Sequence, residues 1–270
     1  MSNIKIGDIV ARKSHGGDVY FKVTDIINTD GGKPVYVLKG LMYRIEADSD
    51  EDDLILQNPL DVRYIMKKDI LHAKRYCYSR SMPRGIFMIR LFRSRPGRIL
   101  HIDSSGEFME MCIQHYREAK IRSVGKEVPE NEQPNVVRRY LEQYNPDILV
   151  LTGHDSLKKS ADKHNINSYR NSKYFIQAVK EARKYEPSPD KLCIFAGACQ
   201  SYFEAIMEAG ANFASSPGRI LINALDPAFV SEKVALTETW KYVTPQEIST
   251  LTISGSKGIG GIKTRGHLIK

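Results

Sequence analysis

Cys199, His154 and Asp103 are the residues of this 270-residue chain whose types and surroundings could do chemistry together. Cys199 follows the apolar and small run CIFAGA, and helix character begins just after it. A thiol at a helix N-terminus feels the positive end of the helix dipole, so the position predicts a favoured thiolate and a nucleophile. His154 closes a second apolar block, ILVLTG, 45 residues upstream. That separation is the length of one crossover, so the two side chains can stand side by side at neighbouring strand ends. Asp103 closes a third block, RILHID. Singly, each residue has a plainer explanation: a buried structural cysteine, a surface histidine, a loop acid. Those explanations serve for Cys193 within its strand and for His15, His115, His164 and His267. Three strand ends bearing a thiol, an imidazole and a carboxylate are less easily dismissed.

The elements that must position them read as alternating strands and helices. RILHID, DILVLTG and KLCIFAGA are short, wholly apolar runs of the kind buried on both faces of a parallel sheet. In such sheets functional groups gather beyond the carboxyl ends of the strands. Helical periodicity covers Gly106 to Ala119, Val136 to Tyr144, Tyr174 to Tyr185 and Ser201 to Ala209, the last closing at Gly210. RILINAL and KYVT are further strand candidates. The N-terminal stretch differs. IVARKS, YFKVTDII, PVYVLKGL and YRIEAD alternate apolar and polar residues, with Gly16-Gly17 and Gly31-Gly32 between them, which predicts a small antiparallel barrel of the SH3-like kind. The expected organisation is a barrel over residues 1–58, a basic connecting segment over 59–97 and an α/β domain over 98–270, a mostly parallel sheet flanked by helices.

Charge is concentrated in the connecting segment. Residues 60–100 hold 11 Lys or Arg against two acids, so that stretch alone accounts for the chain's net charge of +8. Its Tyr64, Tyr76, Tyr78, Phe87 and Phe92 leave open a second function class, a nucleic-acid-binding protein that tracks phosphates and stacks bases. That alternative leaves the Cys and His strand ends unexplained. Four scattered cysteines do not make a disulfide scaffold or a zinc site. No run approaches the roughly 20 apolar residues needed to cross a bilayer. The start MSNIKIGDIVARKS is not a secretory signal, and a cytoplasmic protein is expected.

ILVLTGHD and CIFAGACQS resemble the two catalytic blocks of the caspase-like superfamily of cysteine peptidases, which includes gingipains, clostripain, legumain and separase; caspases carry His and Cys in the same order and at similar spacing. KIGDIVARKSHGGDVYFKV, ILHIDSSGEF and both catalytic blocks together resemble the YabG family of sporulation-specific proteases over nearly the full length. The resemblance implies a caspase-like α/β fold and a cysteine endopeptidase that cleaves after arginine and processes spore coat and cortex-associated proteins in the sporulating mother cell. It implies no metal and no organic cofactor, protein substrates as the partners, and no membrane. It makes Cys199 the nucleophile and His154 the general acid/base, with the oxyanion held by backbone N–H groups of Cys199 and the Gly153–Asp155 turn.

The superfamily usually has Gly directly after the His. This chain has Asp155 there and Gly153 in front, so the Asp155 carboxylate must point away from the oxyanion. Arginine preference requires a carboxylate in the specificity pocket, because guanidinium pairs with carboxylate. Asp103 is the first choice and Asp226 its rival. An arginine-specific protease with Arg80, Arg84, Arg93 and Arg95 in its basic segment could also cut itself there. A stable linker or a docking surface for acidic coat proteins is the other use of that segment.

Overall fold

Period-two burial organises the strands on either side of the chemistry. The protein is described by a computed structural model that covers residues 4–28, 32–80 and 94–269. In the second half, β6 (Ile99–Asp103), β7 (Ser123–Glu127), β8 (Ile148–Thr152), β9 (Cys193–Ala196) and β10 (Phe213–Ser215) form a parallel sheet. Its strand order from one edge is β10, β9, β8, β6, β7. Ile259–Gly261 extends the β10 edge in antiparallel sense. Alternate residues of the central strands face opposite layers. Ile99, Ile148, Val150, Cys193 and Phe195 pack in one core with Tyr116, Phe229 and Val230. Leu100, Ile102, Leu149, Leu151 and Ile194 pack in the other with Val137, Leu141, Phe175 and Val179.

Helices cover both faces. α2 (Gly106–Glu118), α3 (Gln133–Tyr144), α4 (Ser172–Tyr185) and α5 (Phe203–Glu208) fall where the sequence periodicity expects them, within a few residues. α6 (Asp226–Leu236) and α7 (Pro245–Leu251) were not anticipated. α6 is apolar nearly all round and buried, so it carries no amphipathic signature.

The first 56 residues supply a five-stranded antiparallel sheet of β1 (Ile9–Arg12), β2 (Tyr20–Ile27), β3 (Val35–Gly40), β4 (Glu46–Asp50) and β5 (Leu54–Leu56), in the order β4, β3, β2, β1, β5. The Gly16-Gly17 turn is built on left-handed backbone at both residues, φ 65° and 70°.

Two expectations change. Residues 59–80 of the basic segment are a helix, α1 (Pro59–Arg80), rather than an open connector. Asn58 caps it, its side-chain oxygen accepting from the Leu60 N–H at 2.9 Å, and Pro59 takes the first helical position. The run YRIEAD is not one strand. Only Glu46 onward pairs with β3; Leu41–Ile45 leaves the sheet and enters the cleft at the carboxyl ends of β6, β8 and β9.

Candidate active site

The parallel sheet brings the three sequence-selected strand ends to one edge. β8 lies between β6 and β9, so Asp103, His154 and Cys199 follow three adjacent strands. Behind β9, Gly197 turns the chain at φ 106° and Gln200 adopts φ 55°, so Cys199 sits on a sharp turn. Ser201 secures that turn: its hydroxyl accepts from the Ala198 N–H at 2.9 Å and donates to Asp155 Oδ2 at 2.8 Å.

Cys199 departs from its expected electrostatics. α5 begins only at Phe203 and spans six residues, so the thiol lies outside any helix dipole. It is fully buried, and burial pushes its pKa up to about 12. The sulfur accepts the Ile222 N–H at 3.0 Å. In this state the residue is a protonated thiol.

His154 is buried as well, and burial together with the positive charges of Lys39 and Arg44 pushes its pKa down to about 3. The imidazole is therefore neutral. Its backbone N–H donates to Glu130 Oε1 at 2.7 Å, and its carbonyl accepts from Asn171 Nδ2 at 2.9 Å. The ring packs on Phe108 at 5.4 Å between centroids, with Nδ1 3.5 Å from Ser104 Oγ. The Ser104 hydroxyl donates to Glu130 Oε1. A side chain at Gly153 would collide with both Ser104 Oγ and Glu130 Oε1, so glycine is required there for close packing. The sequence analysis did not single out Ser104 or Glu130; Ser104 lies within the ILHIDSSGEF segment, and Glu130 lies in no motif it quoted.

The Asp155 side chain is fully buried. Its carboxylate accepts from the Ser172 hydroxyl, the Ser201 hydroxyl and the Asn171 and Ser156 N–H groups. Its own backbone N–H faces the opposite way, into the cleft.

Asp103 is fully buried, and Arg44 pairs with it. Arg44 Nη1 donates to Asp103 Oδ2 at 2.6 Å, and both side chains have zero exposure. Nη2 donates to the Ala224 carbonyl at 2.9 Å, and the guanidinium lies 4.9 Å from the Phe108 ring centroid. Burial alone would raise the Asp103 pKa; the Arg44 charge together with His101 and the Ser105 N–H outweighs it and holds the carboxyl well below the usual range. His101 Nε2 and the Ser105 N–H complete its shell at 3.4 and 2.9 Å. The contact is one strong bond rather than the bidentate fork.

The backbone of the same segment is held like a strand laid across the cleft. The Arg44 carbonyl accepts from the Cys199 N–H at 3.1 Å and from the Asp155 N–H at 3.2 Å. The Arg44 N–H donates to the Ile222 carbonyl at 3.3 Å, and the Ala224 N–H donates to the Met42 carbonyl at 3.0 Å. Tyr43 and Asn223 are thus antiparallel partners, and Ile45 runs parallel to Asp155. Gly40 donates its N–H to the Ile45 carbonyl at 2.9 Å.

Asp226 stands elsewhere. It begins α6 and accepts from the Ile253 and Ser254 N–H groups at 2.7 and 3.0 Å, fastening a loop. Burial lifts its pKa to about 6. Of the four arginines singled out as self-cleavage positions, Arg84 and Arg93 fall outside the described residues, and Arg80 is the last residue of α1. Arg95 exchanges two backbone hydrogen bonds with Ile269, at 2.7 and 3.0 Å.

A family model for YabG peptidase U57 matches residues 5–270. The chain belongs to that family. It is 36% identical to the sporulation-specific protease YabG of Bacillus subtilis (strain 168), over 98% of this chain and 96% of that one. A peptidase family matched over this length makes the chain a protease. Among solved structures, a Salmonella typhimurium RcsB response regulator aligns with 60% of this chain and 71% of its own, at 16% identity and a TM-score of 0.36. Among the described residues, no helix of this YabG-family chain is long and apolar enough to cross a membrane.

Proposed function

We propose that this YabG-family protease is a cysteine endopeptidase that cleaves after arginine. Cys199 is the nucleophile and His154 the general acid/base. The Cys199 and Asp155 N–H groups form the oxyanion hole, and Asp103 is the specificity acid. One observation carries the reading: a single residue, Arg44, has its carbonyl on both proposed oxyanion donors while its guanidinium meets Asp103. Those are the two contacts that a substrate arginine on the acyl side of a scissile bond must make at once. Each oxyanion donor is worth roughly 3–4 kcal/mol in such enzymes.

In the reaction the Cys199 sulfur adds to the scissile carbonyl carbon and its proton passes to His154. His154 then protonates the departing amine as the thioester forms, and activates the water that hydrolyses it. Phe108, between the imidazole and the guanidinium, keeps the acid/base and the specificity pocket at a fixed separation. The parallel sheet of residues 98–270 is read as caspase-like and the antiparallel sheet of 1–58 as an SH3-like barrel, with 59–97 between them. Spore coat and cortex-associated proteins are the proposed substrates, in the sporulating mother cell, and Arg80, Arg84, Arg93 and Arg95 are offered as self-cleavage positions.

Mass spectrometry of fragments from a mixed-peptide digest tests the reading. Cuts after arginine are expected, absent with Cys199→Ala and less selective with Asp103→Asn. A fully active Cys199→Ala protein overturns the nucleophile, and unchanged selectivity in Asp103→Asn removes that residue from the pocket.

A further inference from the structure

The segment between β3 and β4 occupies the cleft as a substrate would. We infer that the protease cuts its own chain between Arg44 and Ile45, and that until this happens the N-terminal sheet keeps the cleft closed. The inference rests on the arginine-endopeptidase reading and names the first substrate of that site.

Four contacts support it. The Arg44 side chain pairs with Asp103 with no exposure. Its carbonyl lies on the Cys199 and Asp155 amides, and its own amide donates to Ile222. Met42 is hydrogen-bonded to Ala224, two residues before the arginine, as expected of an extended peptide paired to a sheet edge. A segment that merely joined two strands would gain nothing from an arginine buried 59 positions away in sequence from its carboxylate partner, since a buried ion pair adds little net stability over apolar packing.

The step balances within the chain. The Cys199 sulfur bonds to the Arg44 carbonyl carbon and the bond to the Ile45 nitrogen breaks. The thiol proton goes through His154 to the new Ile45 amine. Water then adds to the thioester, returning a proton to sulfur and leaving Arg44 as a carboxylate. The two pieces remain associated, because β3 belongs to one and β4 to the other and they pair over five residues. The cut is thus invisible under native conditions.

The test follows purified full-length chain by intact mass and N-terminal sequencing under denaturing conditions, with an arginine-containing peptide added as a second substrate. Wild type is expected to give residues 1–44 and a fragment beginning Ile45-Glu46, with a half-time unchanged over a ten-fold dilution. Cys199→Ala stays whole. Arg44→Gln stays whole at this bond and, with its cleft still covered, cleaves the added peptide at least ten-fold more slowly than the cut wild type. Arg44→Lys, which keeps a cation against Asp103 and so preserves the fold if the glutamine variant does not, slows the cut at least ten-fold. Wild type that cleaves the peptide while its own Arg44–Ile45 bond persists, or is cut at a rate proportional to protein concentration, overturns the inference and leaves the arginine-endopeptidase reading standing. Failure to cleave either substrate removes both.

Discussion

Arg44 and Asp103 meet at 2.6 Å with neither side chain exposed to solvent. They come from different sheets, so this one contact ties the N-terminal strands to the parallel sheet at its functional edge. A buried ion pair contributes little net stability compared with apolar packing, but removing one partner strands a charge.

Asp103→Asn, made in a Cys199→Ala chain so that cleavage cannot intervene, is therefore expected to lower unfolding stability by about 3–5 kcal/mol. Arg44→Met combined with Asp103→Asn should recover more than half of that loss, because both charges are then gone. Urea denaturation of the three chains gives the coupling directly. A loss in Asp103→Asn that the second substitution does not relieve would mean that the charge pair is not what holds the segment.

The sequence made the strand ends legible and left their tenant hidden. ILHID, ILVLT and CIFA are apolar at every position because both faces are covered, and they were found as buried strands with Asp103, His154 and Cys199 at their ends. α1 was hidden because, among its described side chains, only Val62, Ala73 and Cys77 are buried, too few to mark a face among its charges. YRIEAD alternates like a strand, and it is extended; what alternation cannot report is which edge an extended segment pairs with. Tyr43 and Arg44 take their partners from Asn223 and Ile222, about 180 residues away, and no local pattern encodes such a pairing. The thiol expectation failed for a related reason. Helix periodicity after Cys199 was real, but the helix starts four residues later than a dipole effect requires, and burial decides the pKa.

Glu130 accepts three things at one end of its carboxylate: the His154 backbone N–H, the Ser104 hydroxyl and the approach of the imidazole itself. It positions His154 without touching the Arg44 carbonyl. Glu130→Gln should lower kcat on an arginine peptide about 10–100-fold, the equivalent of roughly 1.5–3 kcal/mol for a hydrogen bond to a charged group. KM should change less than three-fold, since the Asp103 pocket is untouched. A rise in KM with kcat preserved would place Glu130 in substrate binding instead.

Gly153 is packed against the Ser104–Glu130 contact. Gly153→Ala forces those two side chains apart, an overpacking cost of typically 1–3 kcal/mol. The same displacement moves the acceptor of the His154 amide, so activity should fall with stability. Equal thermal midpoints for Gly153→Ala and its parent would show that the pair has room to yield.

His154 gives a pH dependence whose sign follows from its burial. In the closed chain its pKa is pushed from 6.5 to about 3, so below pH 6.5 the unfolded chain takes up a proton that the folded chain refuses. Stability is therefore lost as pH falls from 6.5 toward 3. Asp155 and Asp226, both raised to about 6 by burial, act in the opposite sense, stabilising the folded chain as pH falls through 6. Comparing Cys199→Ala with Cys199→Ala/His154→Gln cancels those carboxylates. The stability advantage of the histidine chain should shrink by about 2–3 kcal/mol between pH 7.5 and 4.5, at roughly 1.4 kcal/mol per pH unit. Urea midpoints at the two pH values measure it. A constant difference would mean that the imidazole titrates near 6.5 and is already solvated. Opening the cleft removes the desolvation that lowers the pKa, so the ring of a cleaved chain should titrate nearer 6.5, where a general acid/base works best close to neutral pH. The segment that meets Asp103 thus also lowers the basicity of His154, so proton transfer through the ring is slower in the closed chain than after the segment leaves.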